Sequence, residues 1–191
     1  MIGAIAARLT REERRELLAI ARRSIAFGLR GEPLSFEGLV PTPEMERLAG
    51  VFVTIREGGD LRGCIGVLEP EDPLYRAVAS AAASAAFADP RFAAVRASEL
   101  PRLALEISVL SPFEPVGSLD EIVVGTHGLV ARESHRAGLL LPQVASEYGW
   151  TRDQYLDHLC VKAGLSPGRW REGRVRLEKF TAEVFSESSE N

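Results

Sequence analysis

The chain is poor in the residues that carry the commonest catalytic and metal chemistry. Its 191 residues hold two cysteines, Cys64 and Cys160, and three histidines. A disulfide framework needs more cysteine pairs, and a zinc site needs CxxC-type or helical ligand spacing. Neither pattern is present, so no metal is expected. No GxGxxG or Walker sequence occurs either, which removes the common phosphate loops, and no cofactor is expected. Lysine is scarce: every basic residue except Lys162 and Lys179 is arginine. The net charge of −4 argues against a nucleic-acid or membrane-surface binder, since both favour a positive field. The opening run Met1-Ile2-Gly3-Ala4-Ile5-Ala6-Ala7 is too short in apolar residues for a signal peptide or a membrane span. A reducing cytoplasm is the expected location.

What is present is an ordinary globular composition, 46% apolar and 26% charged, able to bury a core as one domain or two small lobes. Thr10-Arg11-Glu12-Glu13 is a capping-box sequence, and Leu17, Leu18, Ala21 and Ile25 follow at helical spacing. Residues 32–46 hold Pro33, Pro41 and Pro43 and read as an extended connector. Residues 50–56 read as a strand, Gly58-Gly59-Asp60 as a hairpin turn, and residues 61–68 as the returning strand. Pro73 opens an alanine-rich helix that Asp89-Pro90 ends. Residues 103–110 read as a strand, and residues 129–132 and 137–141 as a hairpin. Two short helices open at Pro142 and Asp153, and Gly164 caps the second. Residues 174–185 read as one closing strand, and 187–191 as a polar tail that frays. Hairpins and separate helices in this order argue for α+β, with a mixed or antiparallel sheet and flanking helices.

The most informative segment is Leu61-Arg62-Gly63-Cys64-Ile65-Gly66, which sets a cysteine between two glycines inside a strand. Glycine in a strand interior signals close backbone approach, a bulge, or room for a ligand. Simple alternation puts Arg62, Cys64 and Gly66 on one face.

This hexapeptide resembles the signature of the AMMECR domain family. The likeness extends through Phe52-Val53-Thr54, Phe87-Ala88-Asp89-Pro90-Arg91-Phe92, Glu99-Leu100-Pro101 and Leu105-Glu106-Ile107-Ser108-Val109. It continues through His127-Gly128-Leu129, Leu141-Pro142-Gln143-Val144, Gly149-Trp150 and Lys162-Ala163-Gly164-Leu165. It spans about residues 10–186 as a single domain. The resemblance implies two unequal lobes, with the signature cysteine near a cleft between them. It also implies a Memo-like partner, similar to extradiol dioxygenases, and a radical-SAM partner. It carries no defined reaction. Leu139-Leu140 depart from the family's threonine and aromatic, so hydroxyl or ring chemistry does not carry over to those positions.

Cys64 is the candidate nucleophile, because a thiolate reacts and a neighbouring cation favours it. Arg62 is the candidate cation, and Gly63 and Gly66 would let a substrate approach. The alternative makes Cys64 a small buried hydrophobe, with the glycines serving a tight sheet-to-helix contact. Asp89 and Arg91 read as a substrate-anion clamp or as a buried ion pair. Glu106 interrupts an apolar strand and needs a partner, for which Arg62 or Arg91 would serve. His127 is a candidate base, or a turn histidine bonded to its own backbone. His135 and His158 read as solvated and Cys160 as core. Two functions remain open: an enzyme or enzyme component using Cys64 for thiol-based group transfer, or a non-catalytic peptide- or protein-binding module working with a partner.

Overall fold

The structure, a computed structural model, describes residues 8–190. The apolar run of residues 1–7 and the last residue of the tail, Asn191, lie outside the described residues. The helices are α1 (Arg11–Gly28), α2 (Pro43–Glu46), α3 (Leu74–Phe87), α4 (Pro142–Glu147) and α5 (Arg152–Lys162). The first four strands are β1 (Val51–Glu57), β2 (Asp60–Val67), β3 (Leu103–Leu110) and β4 (Glu114–Pro115). They are followed by β5 (Gly128–Glu133), β6 (Arg136–Leu140), β7 (Arg176–Phe180) and β8 (Ala182–Ser186). The protein is α+β, with two antiparallel sheets ordered β2-β1-β3-β8 and β4-β7-β5-β6. The chain divides into two compact units, one running through Leu110 and resuming at Glu183, the other spanning Ser111–Ala182. Among the described residues no helix is long and apolar enough to cross a membrane.

In the first unit, α1 starts where its capping box closes. The Glu13 N–H donates to Thr10 Oγ1 at 3.2 Å, and the Thr10 N–H donates to Glu13 Oε2 at 2.7 Å. Leu17, Leu18, Ala21 and Ile25 are buried, as the helical spacing requires. The connector is not extended throughout: Thr42 caps one helical turn, α2, whose first residue is Pro43 and whose Met45 is buried. Gly58 and Gly59 both take positive φ, +62° and +95°, which suits a hairpin whose strands twist right-handedly. One face of β1 and β3 buries Val51, Val53, Ile55, Leu105, Ile107 and Val109. The small side chains of α3, including Ala77, Ala81, Ala82, Ala85 and Ala86, join that same core. Alanine lets a helix axis come close to its neighbours, and α3 contacts α1, β1 and β2 together.

The second unit sets β5, paired with β6 and β7, beside α5, whose Tyr155, Leu156, Leu159 and Cys160 are fully buried. The single closing strand read from the sequence is in fact two, β7 and β8, which lie in different sheets. The break falls at Thr181, whose N–H and carbonyl are engaged by Ser111 through its Oγ and N–H at 3.0 and 2.9 Å.

In the polar tail, Glu187 and Glu190 bond arginines of α1. Glu187 accepts from Arg22 Nη2 at 2.7 Å and from the Leu105 N–H at 2.9 Å. Glu190 is buried, its carbonyl accepting from Arg15 Nε at 2.6 Å and its carboxylate pairing with Arg14 at 3.4 Å. The arginines of α1 supply the partners that a solvated tail would lack.

Candidate functional site

The hairpin that carries Cys64 is not regular. Glu57 faces Asp60 and Arg56 faces Leu61, but Ile55 faces Gly63, so Arg62 is the extra residue of a β-bulge. Beyond the bulge, Thr54 faces Cys64 and Phe52 faces Gly66. Alternation therefore fails at Arg62, and the expected pairing of its charge with the thiol does not form. Arg62 Nε instead donates to Glu99 Oε1 at 2.7 Å, and Nη1 to the Ala93 carbonyl at 2.8 Å. Both side chains of this pair are largely buried, at 17% and 14% exposure. The carboxylate of Glu99, which also accepts from the Arg96 N–H, is held below its ordinary pKa by Arg62 first.

β2 lies at the edge of its sheet, so Cys64 turns a main-chain N–H and carbonyl away from β1. Side chains satisfy both. The Cys64 N–H donates to Asp89 Oδ2 at 2.9 Å, and Arg91 Nη2 donates to the Cys64 carbonyl at 3.1 Å. Arg91 also forks onto Asp89, with Nε to Oδ1 at 2.9 Å and Nη2 to Oδ2 at 2.7 Å. Asp89 is 4% exposed. The hydrogen bond from Arg91, together with main-chain donors, keeps its carboxyl far below the usual range.

The two glycines answer to close approach. A Cβ on Gly63 would collide with the Ala85 carbonyl of α3, and one on Gly66 with the Phe52 ring and the Val51 carbonyl.

The side chain of Cys64 lies on the face of β1 and β3 opposite the core. Because its N–H is spent on Asp89, Cys64 and Thr54 form a non-hydrogen-bonded cross-strand pair, the kind that brings side chains nearest. Thr54 Oγ1 donates to Cys64 Sγ at 3.3 Å. Thr54 in turn faces Glu106 on β3. Thiol, hydroxyl and carboxylate thus form a row across three adjacent strands, with Gly66, Phe52 and Ser108 in the neighbouring row. Glu106 is half-buried and makes no hydrogen bond or ion pair with any described residue. Neither arginine expected to serve it does so, since each is committed to another carboxylate.

The structure therefore joins Cys64, Asp89 and Arg91 by hydrogen bonds and sets Glu106 opposite Thr54 in the strand register, while Arg62 is tied elsewhere. His127 belongs to the second unit. Its Nδ1 accepts from the Val123 N–H at 3.1 Å and its own N–H donates to the Val123 carbonyl at 2.9 Å, so the ring carries its proton on Nε2. His135 is exposed in the β5–β6 turn, and His158 stacks on Trp150 with ring centroids 3.9 Å apart. Burial pushes the Cys160 thiol up. Sequence reasoning missed Thr54 and Glu99 as partners. The register carried a signal for Thr54, but only once the bulge is counted; Glu99 left none. Among the described residues no three histidine, cysteine, aspartate or glutamate side chains gather closely enough to hold a metal ion.

The AMMECR1 family model matches residues 18–185. A protein of Methanothermobacter thermautotrophicus is 43% identical over 186 residues, covering 94% of this chain and 96% of its own. One from Methanopyrus kandleri is 41% identical over 189 residues, covering 94% and 91%. The crystal structure of an uncharacterized protein from Pyrococcus horikoshii superposes with a TM-score of 0.84 at 38% identity, covering 91% of each chain.

Proposed function

The chain belongs to the AMMECR1 family, and from that premise we propose that the sheet face around Cys64 is a ligand-binding site in which the thiol is the reacting group. The observation that carries the reading is Glu106. A half-buried carboxylate that bonds no described residue keeps its oxygens available to accept from a ligand. Glu106 accepts an N–H or O–H of the ligand, and the row through Thr54 sets that ligand against Cys64 Sγ. The Thr54 hydroxyl donates to sulfur and fixes the direction in which it points. Asp89 and Arg91 hold the main chain of Cys64 still and are positioning residues. The chemistry is thiol-based group transfer on a substrate that bears a donor for Glu106. Memo-like and radical-SAM proteins are the partners to test for supplying it. His127 has no part assigned in this step.

The test is alkylation of Cys64 by iodoacetamide across pH, in a Cys160→Ala background. The expected result is reaction in the native state, slowed by Thr54→Val. A thiol that reacts only when the protein unfolds overturns the proposal.

A second reading, a binding module in which Cys64 is packing, draws on a separate observation. Gly63, Gly66, Asp89 and Arg91 each have a structural reason to be there. In that case Cys64→Ser leaves partner binding intact. Under the thiol reading the same variant abolishes the group transfer, and in both Thr54 Oγ1 remains to bond the new hydroxyl.

A further inference from the structure

We infer that the β5–β6 hairpin carries a separate anion site, suited to a phosphate or pyrophosphate group on a small molecule. Glu133 faces Arg136 across a two-residue turn, Ser134-His135. Ser134 takes a φ of +55°, the only non-glycine residue with positive φ among the described residues. A two-residue hairpin turn asks for that conformation at its first position, and it sets the Ser134 side chain on the rim of the turn.

Beside the turn is a cavity of about 520 Å³ lined by Glu133, Ser134, His135, Arg136, Arg169 and Arg174. Its charges do not cancel. Glu133 is spent on Arg169, which donates to it from Nη2 at 2.9 Å and also reaches Glu172. Arg136 gives one bond, Nη1 to the Gly164 carbonyl at 2.9 Å, and its other nitrogens bond no described residue. Arg174 bonds none at all among the described residues. Two guanidinium groups thus stand uncompensated around one cavity, in a chain whose net charge is −4.

A guanidinium fork matches two oxygens of a phosphate, and two forks match a pyrophosphate. The Ser134 hydroxyl and the His135 ring add donors on the same rim. The cavity has the volume of a small-molecule site, roughly 300–1,000 Å³. A nucleic-acid backbone would need a basic stripe and a more positive field, so the ligand is a small phosphorylated molecule.

The test is a ¹H–¹⁵N titration of the full chain with sodium pyrophosphate, with sodium sulfate and a single-stranded oligonucleotide as parallel arms. The expected result is saturable shifts at the amides of Ser134, His135, Arg136 and Arg174 with pyrophosphate, stronger than with sulfate. The Arg136→Gln/Arg174→Gln double variant should weaken binding roughly tenfold or more. Arg23→Gln/Arg30→Gln, an equivalent loss of two surface charges on and just beyond α1, should not. Cys64→Ala should bind like the parent, which separates this site from the Cys64 proposal. Absence of saturable shifts, unchanged affinity in the double variant, equal response to sulfate, or tighter binding of the oligonucleotide overturns the inference.

Discussion

Asp89 holds Cys64 by its main chain rather than by its sulfur: Oδ2 accepts the Cys64 N–H at 2.9 Å. With Arg91 returning a donor to the Cys64 carbonyl, the pair gives an edge strand what a further strand would have given. Asp89→Ala removes an acceptor for several donors at a site only 4% exposed. The Arg91 side chain left behind is 54% exposed, so water recovers part of the loss. A cost of about 2 kcal/mol in urea denaturation is expected. Hydrogen exchange at the Cys64 amide should accelerate while that of Val53, in the sheet interior, stays slow. Unchanged protection of the Cys64 amide would sink the edge-clamp account.

The same pair sets a pH dependence. Arg91 holds the Asp89 carboxyl, and Arg62 the Glu99 carboxyl, below their ordinary values of 3.8 and 4.5. A carboxyl depressed on folding stabilises when ionised, so the contribution is complete above those values and lost as pH falls beneath them. The urea midpoint should drop between about pH 5 and about pH 3, and the drop should be shallower in Asp89→Asn/Glu99→Gln. Equal slopes in parent and variant would assign acid sensitivity to other groups.

Arg62 marks where the sequence stops being legible. Local rules found the Thr10–Glu13 capping box, the alanine helix, both hairpins and the Gly164 cap (φ +74°), because each is written within a few neighbouring residues. Counting back from Gly58-Gly59 in strict register, however, sets Arg62 opposite Ile55 and Thr54 opposite Gly63. The bulge shifts both by one, and no local residue announces it. The partner of Arg62, Glu99, lies 37 positions away, a tertiary choice that period and propensity do not encode. The split of the last strand at Thr181 likewise depends on Ser111, 70 positions away.

Arg62 is therefore expected to act on stability, not on the thiol. Arg62→Ala leaves Glu99 with only the Arg96 N–H and the carbonyls of Ala93 and Ala94 without the guanidinium, at a cost of about 2 kcal/mol. The pH profile of Cys64 alkylation should match the parent's under conditions where both are folded. A profile displaced to higher pH would return Arg62 to the role its spacing first suggested.

Gly63 and Gly66 separate by what a methyl group would strike. At Gly63 it is the Ala85 carbonyl, main chain inside α3, which has nowhere to go. Gly63→Ala should cost about 3 kcal/mol or more and lower Tm accordingly. At Gly66 the Phe52 ring and the Val51 carbonyl stand equally close. Gly66→Ala in a Phe52→Ala background should cost less than in the parent, a coupling read from a double-mutant cycle. Additive effects would show that the ring is not what excludes the methyl.

Glu106 gives the sharpest separation of function from structure. A carboxylate that anchored the fold would have a donor within reach, as Asp89 and Glu99 do. Glu106 has none: its half-buried carboxylate bonds no described residue. Glu106→Gln keeps the shape and removes the charge, so stability should stay level or rise by up to about 1 kcal/mol. Ligand capture, followed as protection of Cys64 from alkylation by a bound substrate, should be lost in the same variant. A destabilisation above about 1.5 kcal/mol would mean that the carboxylate serves the fold. Stability and protection both unchanged would remove Glu106 from the site, and with it the observation on which the thiol reading rests.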